Sequence, residues 1–308
     1  MMRTLQKDHI YTSDEVPRSD ISALRNELID ATYLGRATHC NASRYSFDGA
    51  RLPMLMREVG RLRRESYAVV GVAMPQHEAV DGADIDGTYR QLIVWDNDAG
   101  VIIGGYRYAV GREVAPERLS LCRYFDLSDA FRREVLPEGV ELGRSFVHAA
   151  YQRSRNTKTI FALDALWEGS ARVVERERVG YLFGRVTLYP ALGVRARNVL
   201  VGFMRHVFPA REPLVVAREP LSVGISRRWL RRYFTAESPR DNYRILLCKM
   251  RDMHRAVPPI ISSYMRLSPT MQTFEAYRND DLGGVVECGI MLTIADIYTD
   301  LKKRYFRL

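Results

Sequence analysis

A chain of 308 residues, 46% hydrophobic and 27% charged, is an ordinary globular composition and is long enough to bury a core without a covalent or metal staple. The net charge of +9 comes almost wholly from arginine, since the only lysines are Lys7, Lys158, Lys249, Lys302 and Lys303. That balance favours an anionic partner, whether nucleic acid, lipid headgroups or an acidic carrier protein. The four cysteines, Cys40, Cys122, Cys248 and Cys288, form no CxxC pair and have no histidine at metal spacing. This excludes a disulfide framework and a zinc site as readings and suits a reducing compartment.

The first residues, MMRTLQKDHIYTSDEVPRSD, are polar and mixed in charge, unlike the apolar centre of a secretory signal. The longest apolar stretches, such as Tyr67 to Met74, fall well short of the roughly 20 residues that span a bilayer. The expectation is a cytoplasmic protein whose contact with the inner membrane, if it has one, is peripheral.

Leu52 to Tyr67 places Leu55, Val59, Leu62 and Tyr67 on one helical face with arginines opposite, which predicts an amphipathic helix. An acidic loop, VDGADIDGT, follows. Two apolar runs, QLIVWD and VIIGGYRYAV, are split by Asn97-Asp98-Ala99-Gly100 and predict a β-hairpin. A helical stretch is expected around Asp126 to Glu134, then a strand over ELGRSFVH, a helix from Lys158 to Arg178 and a buried strand over YLFGRVTLY. Residues 191–208 predict another amphipathic helix, and Ser226 to Arg255 reads as helical. VVECGIMLTIAD is again strand-like.

This order implies one α/β domain over residues 1–308. Its sheet core covers about 50–210 and 275–300, and a mostly helical insertion covers about 211–274. Early strands pair antiparallel and a helical crossover joins a parallel central pair, giving a mixed sheet. Ligands usually sit in the crevice beside such a switch point.

The strings QLIVWD with GGYRY, ELGRSFVHAAYQ, IFALDALWEG, YLFGRVTLYP and PPIISSYMRLSPTM resemble bacterial acyltransferases often labelled hemolysins, of the ornithine-lipid and glycine-lipid synthase type. The resemblance runs from about residue 50 to about residue 300. These proteins are related to the acetyltransferase (GNAT) fold and to the acyl-homoserine-lactone synthases. The resemblance implies a splayed mixed sheet flanked by helices and no tightly bound cofactor. It implies an acyl carrier protein thioester, or acyl-CoA, as donor and the amine of an amino acid such as glycine or ornithine as acceptor. The product would be an N-acylated, usually 3-hydroxyacylated, amino acid in aminolipid biosynthesis.

Attack on a thioester needs an uncharged amine, so a base or a water relay is required. Glu141, which matches the glutamate of the lactone synthases' ExxR motif, is the candidate base, and a structural ion pair is its competing reading. Arg144 lies three residues on and would face away from Glu141 in a plain strand. The resembling fold carries a bulge here, which would bring both to one site and let Arg144 bind the acceptor's carboxylate. Asp81 and Asp84 resemble paired acids that recognise the acceptor's amine, although their glycine-containing loop also suits an ordinary turn. Arg63 and Tyr67, one helical turn apart, resemble an Arg-x-x-x-aromatic pair of the lactone synthases.

The donor's phosphopantetheine is expected at Ser145, Phe146, Gln152, Arg153, Arg155 and Lys158. Backbone N–H groups at the bulge would stabilise the oxyanion, and the following helix N-terminus would meet the phosphate. The stretch QRSRNTK lacks the family's glycines, so arginine and lysine side chains take over part of that contact. His148 is a weaker candidate base beside Ser145. The segments Phe203 to Phe208 and Tyr264 to Phe274 either line an acyl tunnel or form plain core. A lactone synthase using S-adenosylmethionine is the same-class rival. A basic nucleic-acid binder is the other rival, but the chain has no RNA-binding string, helix-turn-helix or zinc finger, which makes nucleic acid an unlikely partner. A lytic protein has no insertion sequence to support it.

Overall fold

The structure, a computed structural model, describes residues 18–75, 79–152 and 157–306. Its centre is an eight-stranded sheet in the order β1-β2-β3-β4-β6-β7-β10-β9. The strands are β1 (Thr32–Arg36), β2 (Ala42–Asp48), β3 (Arg90–Asp96), β4 (Val101–Val110), β6 (Gly139–Val147), β7 (Tyr181–Leu188), β9 (Gln272–Asn279) and β10 (Val285–Thr293). Two short strands, β5 (Phe125–Leu127) and β8 (Val215–Ala217), pair separately.

Every neighbouring pair in the large sheet is antiparallel except β6 and β7, which are parallel. Parallel neighbours need a long connection. Here it is α5 (Thr157–Glu177), whose residues Ala162, Ala165, Leu166, Trp167, Ala171 and Val174 are buried in the main core with the sheet residues Leu92, Val94, Val140 and Leu182. The α2 helix (Pro53–Val69) buries Leu55, Met56, Val59 and Leu62 in a second cluster with Ile93, Trp95 and Phe146. At about 1.5–3 kcal/mol for each large apolar side chain removed from water, these two helices fix the middle of the sheet from different clusters.

The hairpin, the central parallel pair, its crossover helix and α6 (Val194–Val207) fall where the sequence predicts. The sheet extends further than the periodicity suggested. The edge strand β1 is short and partly exposed, while β2 holds Arg44, Ser43 and Ser46 in buried positions, so neither shows an apolar run. In β9, QTFEAYRN, the apolar residues Phe274, Ala276 and Tyr277 keep no period of two, and the polar Thr273 and Asn279 are buried with them.

The expected helix around Asp126 to Glu134 is instead strand β5 followed by one π-helical turn, Phe131–Val135. Phe125 and Leu127 point inward on β5, and Phe131 continues the same cluster, so an alternating spacing imitated a helical one. Ser226 to Arg255 forms two helices, α7 (Arg227–Tyr233) and α8 (Pro239–Asp252). Ser226 caps the first, and Ser238 with Pro239 starts the second. Residues 211–274 otherwise contain β8, α9 (Pro259–Leu267) and the start of β9.

Candidate active site

The parallel ladder between β6 and β7 is short. It runs from Gly139 opposite Tyr181 to Leu142 opposite Gly184 and stops there, while β7 continues to Leu188 against β10 alone. Past Leu142, the edge of β6 that faces β7 has no strand neighbour. The strands part into a narrow crevice of about 880 Å³, counting the space at its open mouth. Leu142, Gly143, Arg144 and Ser145 line it from β6, and Arg185, Val186 and Thr187 from β7.

The expected bulge is present. Phe146 lies opposite Gly105 and Gly143 opposite Arg107, so β6 spends three residues where β4 spends two. Arg144 absorbs the extra residue at a φ of 50°, a left-handed conformation that a non-glycine side chain adopts at a cost. The kink aims its guanidinium at Asp81, Nη2 to Oδ2 being 3.2 Å. Asp81 is further held by Nη1 of Arg107 at 2.7 and 2.8 Å. It also accepts the Asp84 N–H as cap of the one-turn helix α3 (Gly82–Ile85), and Asp84 accepts the Asp81 N–H in return. The DxxD spacing is therefore a capping box. Asp81, Arg107 and Arg144 form one wall of the crevice.

Asp84 and Arg63 sit behind that wall, both fully buried and bonded at 2.7 Å. Burial by itself raises the Asp84 carboxyl, but Arg63 and Arg107 outweigh it and hold the group below the usual aspartate range. Arg63 also donates to Gln91 and to the Ala79 carbonyl, so its role is to close the core under the wall. Tyr67, by contrast, reaches the crevice and packs on Tyr189 at 6.0 Å between ring centres; burial pushes its hydroxyl pKa up.

Glu141 lies on the same strand face as Gly143 but is fully buried and does not line the crevice. Its Oε1 accepts the Ser120 hydroxyl at 2.7 Å and the Leu121 N–H at 2.8 Å. Its Oε2 accepts the Tyr89 hydroxyl and the Ser120 N–H, the latter at 3.1 Å. The structure does not pair it with Arg144. Of its hydrogen-bond partners among the described residues, Ser120 lines the crevice.

The opposite wall carries residues that the motifs did not single out. Glu287 on β10 is buried and accepts Arg185 Nη1 at 3.0 Å, Asn279 Nδ2 at 2.9 Å, Thr187 Oγ1 at 2.8 Å and the Tyr277 hydroxyl. Burial opposes its charge, yet Arg185 and these donors keep its pKa below the ordinary glutamate value. The signal was available, since a glutamate and an arginine inside the apolar strings VVECG and LFGRV are costly to bury without each other.

Ser145 lines the crevice, whereas Phe146 is buried in the α2 cluster. Gln152 donates to the Val147 carbonyl at 2.6 Å, bracing the end of β6. Arg153 and Arg155 lie outside the described residues, as does the side chain of Lys158. His148 is outside the crevice lining, and burial lowers its pKa. Phe203, Phe208 and Phe274 are buried core, while Tyr264 with Ile260 reaches the crevice. Among the described residues no group of three or more His, Cys, Asp or Glu side chains is placed to hold a metal, and no helix is long and apolar enough to cross a membrane.

Comparison with known proteins follows the same lines. The acetyltransferase (GNAT) domain family matches residues 62–162, which hold the second half of α2, both hairpin strands and all of β6. The chain is 37% identical over 292 residues to a glycine N(alpha)-acyltransferase of Bacteroides thetaiotaomicron, covering 92% of this chain and 87% of that one. It is 35% identical over 261 residues to a glycine N(alpha)-acyltransferase of Phocaeicola vulgatus, covering 82% and 80%. Among solved structures, the acyl-homoserine-lactone (AHL) synthase LasI matches with a TM-score of 0.31 at 14% identity over 60% of this chain and 85% of that one. FeeM, an N-acyl amino acid synthase from uncultured soil microbes, matches with a TM-score of 0.32 at 14% identity over 47% and 71%.

Proposed function

The chain belongs to the family of the glycine N(alpha)-acyltransferases, and from that premise we propose that it moves a 3-hydroxyacyl chain from an acyl carrier protein thioester to glycine, as a step in making an aminolipid. The observation that carries this reading is the gap beside Leu142 and Gly184, where an unpaired strand edge and ionic side chains face one narrow crevice.

An exposed strand edge is a template for any partner bearing amides, and a pantetheine arm carries two of them. Laid along Gly143 to Ser145, it would bring the thioester carbonyl to the bulge, where backbone N–H groups stabilise the oxyanion as it forms. The apolar end of the crevice, with Tyr106, Val186, Ile260 and Tyr264, receives the start of the acyl chain. The amine attacks the carbonyl carbon, the C–S bond breaks and the carrier's sulfur leaves as a thiolate. The proton released by the amine passes to Ser120 Oγ as that hydroxyl gives its own to Glu141 Oε1, along the existing 2.7 Å bond. A second role for Glu141 is favoured by the two backbone N–H groups it accepts: it positions the loop that carries Ser120.

The carrier is the preferred donor because an acidic carrier suits the basic balance of the chain. The lipid nature of the product also supports contact with an anionic bilayer. Incubation with 3-hydroxyacyl carrier protein or the matching acyl-CoA and a panel of amino acids, followed by mass spectrometry of the amide, tests the reading. Amide formation with glycine from the carrier is expected, and transfer to no amino acid from either donor overturns it.

A further inference from the structure

The paired strands place Arg107, Gly143, Arg185 and Glu287 on one face of the sheet in successive strands. Arg107 lies opposite Gly143, and Glu287 lies opposite Thr187, two residues along β7 from Arg185. Gly143 and Arg185 follow directly after the last parallel pair, so they flank the point where the sheet opens. Gly143 therefore leaves a gap in a row of charged side chains. A Cβ there would meet nothing nearer than Arg107 Nε at 3.6 Å, Arg107 Cγ at 3.7 Å and Ser120 Oγ at 3.9 Å.

The two walls differ in what they have left to offer. On one, both oxygens of Asp81 are already taken, Oδ1 by Arg107 and the Asp84 N–H, Oδ2 by Arg107 and Arg144. On the other, Arg185 makes its bonds through Nη1 alone, to Glu287 and Tyr277. Among the described residues its Nε and Nη2 have no acceptor, and the residue lines the crevice. Those two nitrogens form the side-on edge of a guanidinium, the geometry that takes a carboxylate bidentately. Glu287 balances the charge and fixes the plane.

We infer that Arg185 receives the carboxylate of the acceptor amino acid and that Gly143 supplies the space in which the acceptor lies, its amine turned toward Ser120 Oγ. This rests on the acyl-transfer reading above and departs from the sequence-based assignment of the carboxylate to Arg144. A short acceptor is favoured, since it must span only from Arg185 across a side-chain-free position to Ser120. Arg185 touches the substrate in this arrangement, and Glu287 is a positioning residue that acts through it.

The experiment compares glycine with glycinamide, which keeps the amine and lacks the carboxylate, using one acyl carrier protein thioester as donor. In Arg185→Gln the preference for glycine should fall by about 10- to 150-fold, the worth of hydrogen bonds to a charged group, with the KM for the donor unchanged. Arg144→Gln should keep the preference. A second variant guards against misfolding: Gly143→Ala meets only ordinary contacts, so it should fold normally, yet raise the KM for glycine more than that for the donor. An unchanged preference in Arg185→Gln, its collapse in Arg144→Gln instead, or an unchanged glycine KM in Gly143→Ala overturns the inference while amide formation by the unaltered protein stands. Failure of the unaltered protein to acylate any amino acid removes both.

Discussion

The carbonyl oxygen of Leu142 stands where a side chain on Gly184 would have to go, and these two residues are the last pair before the central strands part. The opening of the sheet thus begins at a position that only glycine fills. Gly184→Ala should force β6 and β7 apart one step early, costing about 1–3 kcal/mol in a urea titration, as overpacking does. Because the displaced backbone runs directly into Gly143 and Arg144, turnover should fall along with stability. A variant with full stability and full turnover would show that the pair does not set the start of the crevice.

Glu141 and Ser120 separate proton transfer from loop positioning. Ser120→Ala removes the hydroxyl that links Glu141 to the crevice but keeps the backbone N–H bonds that hold the loop. It should lower kcat by about 10²-fold, the lower end of what a positioned acid–base group supplies, with a melting temperature near that of the unaltered protein. Glu141→Gln replaces one accepting oxygen with an NH2 donor that faces other donors, leaving buried N–H or O–H groups unsatisfied, so it should lower both kcat and thermal stability. Full turnover in Ser120→Ala would leave Glu141 with the positioning role alone.

Asp84 and Arg63 form a fully buried pair behind the Asp81 wall. Asp84→Ala would strand the guanidinium and should cost about 3–5 kcal/mol. The pH dependence follows from the lowered carboxyl. In the folded state Asp84 titrates below its ordinary value of 3.8, so the unfolded chain binds more protons in that interval. The pair's contribution is complete above the unfolded value and is lost as pH falls through the folded one. Glu287, lowered from 4.5, acts with the same sign. Urea midpoints measured from about pH 5 to about pH 2 should therefore drop with acid, and Asp84→Asn should flatten the slope, leaving the part due to Glu287 and to other lowered carboxyls such as Asp86.

The fold was legible wherever a strand or helix had one clear buried period. The hairpin, the parallel pair and its crossover helix followed from such segments, while the GNAT-type architecture came from the family resemblance. Strands β2 and β9 escaped because each buries polar groups against specific partners, as Arg44 does against Glu168 at 2.6 Å. The bulge at Arg144 came from the family resemblance, since strand alternation alone puts Glu141 and Arg144 on opposite faces. The cost of burying Arg185 and Glu287 in apolar strings was a signal for each charge, but their pairing was not legible, because Glu287 and Tyr277 lie some hundred residues further along the chain. No local spacing could join them. The DxxD motif misled for the opposite reason: its spacing is real, but it closes a capping box, and only Asp81 faces the crevice.

The last prediction concerns the surface of α7. Arg227, Arg228, Arg231 and Arg232 are exposed and have no carboxylate within ion-pair distance among the described residues, although the rest of the chain forms many such pairs. Trp229 and Tyr233 sit between them and line a groove with Val194, Ile225 and Met253. Unpaired cations around half-buried aromatics suit the interface of an anionic bilayer, where each arginine contributes about 1 kcal/mol. Arg228→Gln with Arg232→Gln should therefore weaken sedimentation with vesicles of anionic phospholipid by about 30-fold, from two such contributions. Raising salt toward 1 M, where the Debye length shrinks to about 3 Å, should release the unaltered protein. Transfer to glycine from a soluble carrier should be unchanged in the double variant, because neither arginine lines the crevice. Equal binding to uncharged vesicles, or binding indifferent to salt, would mean that these arginines do not hold the protein to a lipid surface.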